Sequence, residues 1–415
     1  MKVLIAGGGI GGLTTALCLE RAGVEARVYE STEEIRPLGV GINLLPHSVR
    51  ILTELGLAER LEAAAIATAE LLYFNKFGQL IWREPRGRAA GYRWPQYSIH
   101  RGRLQMLLLD AVRERLGEGA VRTGCHLESV AERGDQVEAA FINRATGERV
   151  AVEAGDALVG ADGIHSRVRR QYYPDERAPR FSGKLLWRGV TEAAPYLTGR
   201  SMFMAGYANR KFVAYPICPQ TAGRGRSLVN WVADVQVGDA YAGTPRDWNR
   251  EVGVEAVLPF FADWHFDWLD IPALIAGASA IYEFPMIDRD PVARWSFGRV
   301  TLLGDAAHPM YPIGSNGASQ AILDAPVLVE ALTTEPDVVG ALRRYEEARL
   351  EPTARIVLSN RQQGPEQVMQ LVEDRAPNGF ANLHDVISQA ELEEIANRYE
   401  QLAGFSREEL NAKLI

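Results

Sequence analysis

Cysteine is nearly absent from the chain. Only Cys18, Cys125 and Cys218 occur among 415 residues, odd in number and far apart. With no CxxC pair, and no HxxxH pair among the seven histidines, a disulfide framework and the common metal-ligand spacings are excluded. The cysteines read as reduced thiols of a cytoplasmic protein. Surplus positive charge is missing too: 45 Lys and Arg stand against 53 Asp and Glu, a net charge of −8. Neither nucleic acid nor an anionic membrane is therefore an expected partner. Long apolar runs are lacking, and glycines break the opening MKVLIAGGGIGG within a few residues, so neither a signal peptide nor a membrane span is expected. What remains, 47% apolar and 24% charged, is ordinary globular composition, and its length suggests two or three domains.

The chain alternates rather than repeats. KVLIAGGG predicts a short buried strand ending in glycine, GLTTALCLERAG a helix, and EARVYE a second strand ending in Glu30. Together they form a βαβ unit carrying GxGxxG at Gly7, Gly9 and Gly12. The first glycine permits a tight turn, the second lets a pyrophosphate approach the backbone, and the third lets helix and strand pack closely. The helix N-terminus supplies free N–H groups and positive potential. Glu30, about twenty residues on, is placed to accept both ribose hydroxyls of a dinucleotide. A carboxylate there disfavours a 2′-phosphate, which leaves FAD or NAD rather than NADP.

Two further stretches carry the same kind of signal. DALVGADGIHSRVRR brings an apolar strand to Asp162-Gly163 and then a basic helix start, a cofactor-site signal whose bland alternative is an Asx turn capped by Ser166. GDAAHPMYPIGSNG delivers Asp305 at a strand end, a loop shaped by Pro312 and Gly314, and a helix beginning at Gly317-Ala318. Asp305 there can accept from a sugar-alcohol hydroxyl, and the helix start can stabilise negative charge on a ligand ring. His308 reads as a hydrogen-bonding residue that orders the loop rather than as a proton shuttle. Between these stretches, from about FSGKLLWRGV to SLVNWVADV, the texture is that of aromatic-rich antiparallel strands. The tail beyond about Pro336 is charged and helical, with AELEEIANRYEQLAGF its clearest amphipathic piece.

In order and separation, GGGIGG with Glu30, GADGIHSRVR and LLGDAAHPMYPIGSNGASQAILDA resemble the three fingerprints of the group A flavoprotein aromatic hydroxylases. EIRPLGVGINLLPHSV, PQYSIHRGRLQMLL, LVNWV and VLPFFADW look like the phenazine-modifying members of that family. The resemblance implies an α/β fold like that of para-hydroxybenzoate hydroxylase. A Rossmann-like FAD-binding domain over 1–180, with a substrate-side excursion near 70–98, would be followed by an inserted, mainly antiparallel β-sheet substrate domain over 181–290. The FAD-binding domain would return over 291–360, and C-terminal helices would fill 361–415.

The family's pattern also implies roles. Gly7, Gly9, Gly12 and Glu30 would hold the ADP half of FAD, with Arg101 on its phosphate or ribose side and the Leu127 backbone on adenine. Asp162 would lie at the middle of the FAD site, and Asp305 on the ribityl chain. Val40 and Gly41 would approach the isoalloxazine, near the helix start at Gly317 and Ala318. Where the family often has Gly-Gln-Gly-x-Asn, this chain has Ser315-Asn316-Gly317-Ala318-Ser319, which keeps the backbone role but not the side chains. NADH or NADPH would reduce the flavin, and dioxygen, activated as the C4a-hydroperoxyflavin, would hydroxylate a phenazine-, quinoline- or benzoate-like ring. No protein side chain is expected to be catalytic and no metal is implied.

Of the strand aromatics and their neighbours, Trp187, Arg188, Tyr207, Tyr215 and Trp231, the pair Tyr215 and Trp231 is selected as substrate-contacting, because an aromatic pocket suits a planar ring. The expected state is a monomer or homodimer. The alternatives are a reductase or halogenase of the same fold, a flavin-free NAD-dependent dehydrogenase and a non-catalytic flavoprotein. YRWPQY only partly matches the WxWxIP run of flavin halogenases.

Overall fold

The computed structural model describes residues 1–238, 250–402 and 406–412. The parts of the expected substrate domain at 239–249 and of the C-terminal segment at 403–405 and 413–415 lie outside them. The chain opens with β1 (Lys2–Ala6), α1 (Ile10–Arg21) and β2 (Glu25–Tyr29), as the glycine-punctuated pattern predicts. Helix α2 (Arg101–Leu116) buries Leu104, Leu108 and Val112 completely. After β3 (Ala157–Gly160) come the long strands β4 (Arg180–Ala193), β5 (Ser201–Tyr207), β6 (Arg210–Pro216), β7 (Ser227–Gln236) and β8 (Ile281–Asp288). The chain then returns as β9 (Val300–Leu302), α3 (Gly317–Thr334) and α4 (Val338–Arg361), and helices Gln367–Arg375 and Gln389–Leu402 follow.

Strands β9, β3, β1, β2 and the short Val121–Arg122 form one parallel sheet in that order, so pieces far apart in sequence share one layer. The crossovers are buried: α1 and α3 pack on each other and on this sheet, and β1 residues Val3, Leu4 and Ile5 are completely buried. Parallel strands covered on both faces read as unbroken apolar runs, which is why KVLIA and VTLL were legible as strands. Carboxyl ends of parallel strands are where an open α/β sheet leaves a crevice, and all three motifs lie there.

The second sheet has eight strands, in the order Arg250–Val252, β8, β4, β7, β6, β5, Glu70–Phe74, Leu80–Pro85. Its pairs are antiparallel except β5 with Glu70–Phe74. Side chains alternate with a period of two, so each strand feeds two layers. Trp187, Phe203, Phe212 and Trp231 enter one core with Phe261 and Trp264. Leu186, Met204, Tyr215 and their neighbours face the first sheet across a cleft. Among the described residues, no helix is long and apolar enough to cross a membrane.

Candidate active site

Gly7 sits at φ +114°, where a Cβ would lie 2.3 Å from the Ala161 carbonyl oxygen, so only glycine fits the turn. At Gly12 a Cβ would stand 2.0 Å from the Gly7 carbonyl oxygen, and the bare residue lets α1 lie against β1. Gly9 differs from both. It caps α1, and a Cβ there would meet nothing within 4 Å, because it faces the cleft. Two glycines are thus required by the protein's own packing, whereas the third leaves open space at the cleft.

Glu30 closes β2 with its carboxylate fixed. Oε2 accepts the Gly8 N–H at 2.7 Å, and Oε1 accepts the Thr32 N–H at 2.9 Å and the Ser31 hydroxyl at 3.0 Å. A carboxylate has about four acceptor sites, so capacity remains for a sugar hydroxyl. Leu127 is buried in the core of the first unit, beyond Cys125, whose N–H donates to the Glu30 carbonyl at 2.8 Å; it does not line the cleft.

The Asp162 side chain turns away from the cleft that its neighbours Ala161 and Gly163 line. Its Oδ2 accepts the N–H groups of Arg167 at 2.7 Å and Val168 at 3.3 Å, while Ser166 Oγ accepts from Arg169 N at 2.9 Å. Ser166 caps helix Arg167–Tyr172 and Asp162 Oδ2 adds to that cap, while the buried Asp162 Oδ1 makes no hydrogen bond. The capped-turn reading describes this side chain, and only the backbone on either side of it reaches the cleft.

The third stretch is held from behind. Arg169, fully buried, donates to the carbonyls of Ala306 at 3.2 Å and Ala307 at 2.9 Å and is neutralised by Glu176. Asp324 of α3 accepts from Gly304 N at 3.0 Å and pairs with His308 at 2.7 Å and with Arg349 of α4 at 2.8 Å. Burial would raise the Asp324 carboxyl, but His308 and Arg349 outweigh it and hold it below the usual range. His308 therefore orders the loop, and the proton-shuttle role has no geometry here. With its flanks clamped, Asp305 presents its carboxylate to the cleft. The surrounding walls push that carboxyl up by desolvation, against the pull of His308 and Arg101.

The cleft encloses about 360 Å³. Gly9, Arg101, Asp305, Gly317 and Ala318 line its floor, and the Gly317 end of α3 has no acidic residue and no side-chain cap, so its first N–H groups face the space. Val40 is buried and its carbonyl accepts the Arg101 N–H at 2.9 Å. Gly41 is clamped to the roof, its N–H donating to Asn230 Oδ1 at 2.6 Å and its carbonyl accepting from Arg188 at 3.0 Å. A Cβ at Gly41 would stand 2.8 Å from the Tyr215 ring. The floor fits a dinucleotide flavin: open backbone at Gly9, a bare carboxylate at Asp305 and helix N–H groups at Gly317.

The roof corrects one selection. Tyr215 lines the cleft, but Trp231 is completely buried in the opposite layer, stacked 5.7 Å from Phe212, with its Nε1 on Thr191 Oγ1 at 3.1 Å. Trp231 pairs with Ala214 and Tyr215 with Asn230, and adjacent residues of a strand point to opposite faces. Trp187 shares the layer of Trp231, and Arg188 faces the cleft. Lys211, Asp234 and Glu366 also line it, unforeseen from the sequence. The available signal was charge inside apolar strands, in RKFVAYP and SLVNWVADV.

A Rossmann-type floor at a cleft roofed by an antiparallel sheet defines a flavin-dependent hydroxylase of small aromatic rings. The chain belongs to the FAD binding domain family, which it matches over residues 1–359. It is 49% identical over 364 residues to the phenazine 1,6-dicarboxylic acid hydroxylase of Lysobacter antibioticus, covering 86% of this chain and 89% of that one. It is 32% identical over 379 residues to the 3-hydroxybenzoate 6-hydroxylase of Polaromonas naphthalenivorans (strain CJ2), covering 88% and 87%. Its fold matches Klebsiella pneumoniae HpxO complexed with FAD and uric acid, with a TM-score of 0.73 at 24% identity over 99% of this chain and 95% of that one. A flavin-free dehydrogenase is thereby set aside.

Proposed function

We propose that this FAD-dependent hydroxylase acts on planar aromatic carboxylic acids of the phenazine type, and that Arg188 and Tyr215 hold the substrate carboxylate. The observation that carries this is an uncompensated cation. Arg188 lies on the roof of the cleft with no carboxylate within ion-pair distance among the described residues, and its Nε is buried without a partner. Its contacts are the Gly41 carbonyl, the Phe284 ring at 5.9 Å and the Tyr215 hydroxyl. Burial pushes the Tyr215 hydroxyl up to about 12 and lowers Arg188, which stays charged at any physiological pH. A half-buried cation lacking a counter-charge is costly, and an arriving carboxylate offsets that cost.

Bound FAD supplies the oxygen chemistry, with NADH or NADPH as the source of electrons and dioxygen as the source of oxygen. The chain's own residues bind and orient. Gly7 and Gly12 set the α1 turn, Gly9 leaves room for the pyrophosphate, Glu30 accepts from the ribose, and Arg101 adds positive charge. Asp305 accepts from the ribityl chain, Val40 and Gly41 border the flavin ring, and the N–H groups at Gly317 and Ala318 stabilise negative charge on it. Met202, Met204, Val213 and Val232 give the substrate an apolar wall and exclude water.

The test is consumption of NADH or NADPH by FAD-loaded protein with phenazine, quinoline and benzoate acids and with unsubstituted phenazine. Phenazine carboxylic acids should stimulate most. Arg188→Met should raise KM for the acids by about ten- to a hundredfold, the range for a charge-assisted pair, and leave the neutral ring unaffected. Equal loss for acid and neutral ring would sink the proposal.

A further inference from the structure

The roof carries a second polar group whose charge balance is the opposite of that around Arg188. Lys211 of β6, Asp234 of β7 and Glu366, in the turn after α4, are 5%, 1% and 5% exposed, yet all three border the cleft. Lys211 donates to Glu366 and lies 3.1 Å from Asp234, and Lys184 approaches Asp234 at 3.4 Å. Two ammonium groups thus face two carboxylates. Burial would lower Lys211, but Glu366 and Asp234 outweigh it, so the lysine is a fixed cation. The cluster is neutral as it stands, and an added anion would meet two carboxylates without an unbalanced charge to answer it.

Two hydrogen-bonding positions are left over. An ammonium has three donors, and the two carboxylates engage two of them. Asp234 Oδ1 makes no hydrogen bond, although the Lys184 ammonium stands 3.4 Å from it, and so keeps acceptor capacity. One spare donor beside one spare acceptor suits a neutral group that both accepts and donates, such as a hydroxyl or an amide. Lys211 and Tyr215 lie four residues apart on one face of β6, about 13 Å by strand rise. The side chains between them on the roof, Val213, Val232 and Met204, are apolar. A fused tricyclic ring spans such a gap along its long axis, and a single ring does not. Glu366 also lies beyond residue 359, where the match to the family ends. This end of the cleft is completed by a part of the chain outside the shared domain.

We infer that Lys211, Asp234 and Glu366 form a second substrate-recognition subsite, which takes a neutral hydroxyl or amide on the ring remote from the carboxylate held by Arg188. The inference rests on the proposed binding mode for its orientation, and the test separates the two. Dissociation constants are measured by flavin difference spectra on FAD-loaded protein for phenazine, 2-hydroxyphenazine and phenazine-1-carboxylic acid. The first two carry no carboxylate, so their ratio reports the second subsite alone, whereas the third against phenazine reports Arg188 alone.

The native protein should bind 2-hydroxyphenazine at least tenfold more tightly than phenazine. The pair replacement Lys211→Met with Glu366→Gln should abolish that preference while keeping the preference for the carboxylic acid. Asp234→Asn, which keeps volume and exchanges the spare acceptor, is the second variant should the first fold poorly; it should reduce the hydroxyl preference severalfold. Equal binding of phenazine and 2-hydroxyphenazine by the native protein overturns the inference. So does a variant that loses melting temperature and weakens all three ligands alike, because the cluster then only clamps the C-terminal segment to the sheet.

Discussion

Tyr215 and Trp231 belong to neighbouring strands and face opposite layers, so the same kind of substitution should read out in different quantities. Tyr215→Phe deletes a hydroxyl at the cleft beside Arg188. It should raise KM for an aromatic acid severalfold, corresponding to about 0.5–1.5 kcal/mol for one hydrogen bond, with folding stability nearly unchanged. Trp231→Phe deletes the Nε1 bond to Thr191 and opens a void in a filled core. It should cost about 1–3 kcal/mol of stability and leave KM as it was. Urea denaturation and steady-state kinetics on both variants decide between the two assignments, and a raised KM in Trp231→Phe would contradict the placement of that ring.

At the scale of the element, the turn between β1 and α1 shows how one glycine motif serves two purposes. Gly12→Ala would force α1 away from β1, because its Cβ would meet a backbone carbonyl that cannot swing aside. Several kcal/mol of stability should be lost, as expected of overpacking against backbone. Gly9→Ala has open space and extended backbone, with φ −77°, so the apo-protein should keep its stability within about 0.5 kcal/mol. FAD should nevertheless bind at least tenfold more weakly, because the added methyl stands where the pyrophosphate must approach. Thermal melting of apo-protein and fluorescence titration with FAD measure the two effects independently; a Gly9→Ala protein with native FAD affinity would mean that the cleft is not the pyrophosphate site.

At the scale of the whole molecule, two helices and a loop meet at one buried carboxylate. Asp324 joins α3 to Gly304 and His308 in the third motif and to Arg349 on α4. Its folded pKa is depressed, so the stabilisation is full above the ordinary carboxylate range and is lost as pH falls through the lower folded value. Asp324→Asn leaves Arg349 buried without that counter-charge and should cost about 3–5 kcal/mol at pH 7. The difference from the native protein should shrink as pH falls below the ordinary carboxylate range. Denaturant unfolding at pH 7 and at pH 3.5 tests this, and a penalty independent of pH would show that the carboxylate is not the group responsible.

Gly7, Gly9, Gly12, Glu30 and Asp305 were legible in the chain itself, because a turn, a helix start and a strand end are local events whose residue requirements fall within a few positions. The parallel strands were legible for a related reason: burial on both faces writes an unbroken apolar run. Tertiary structure alone decided which face of each roof strand meets the cleft, since a one-residue change of phase exchanges Tyr215 for its neighbours and only the packed sheet fixes that phase. It also decided that Arg169 and Asp324 clamp one loop, from 137 residues away and from 16 and 20 residues away, and that Glu366 reaches Lys211. Such contacts carry no local signature, because the attraction that offsets the cost of removing these charges from water acts only between partners that become neighbours when the core has closed.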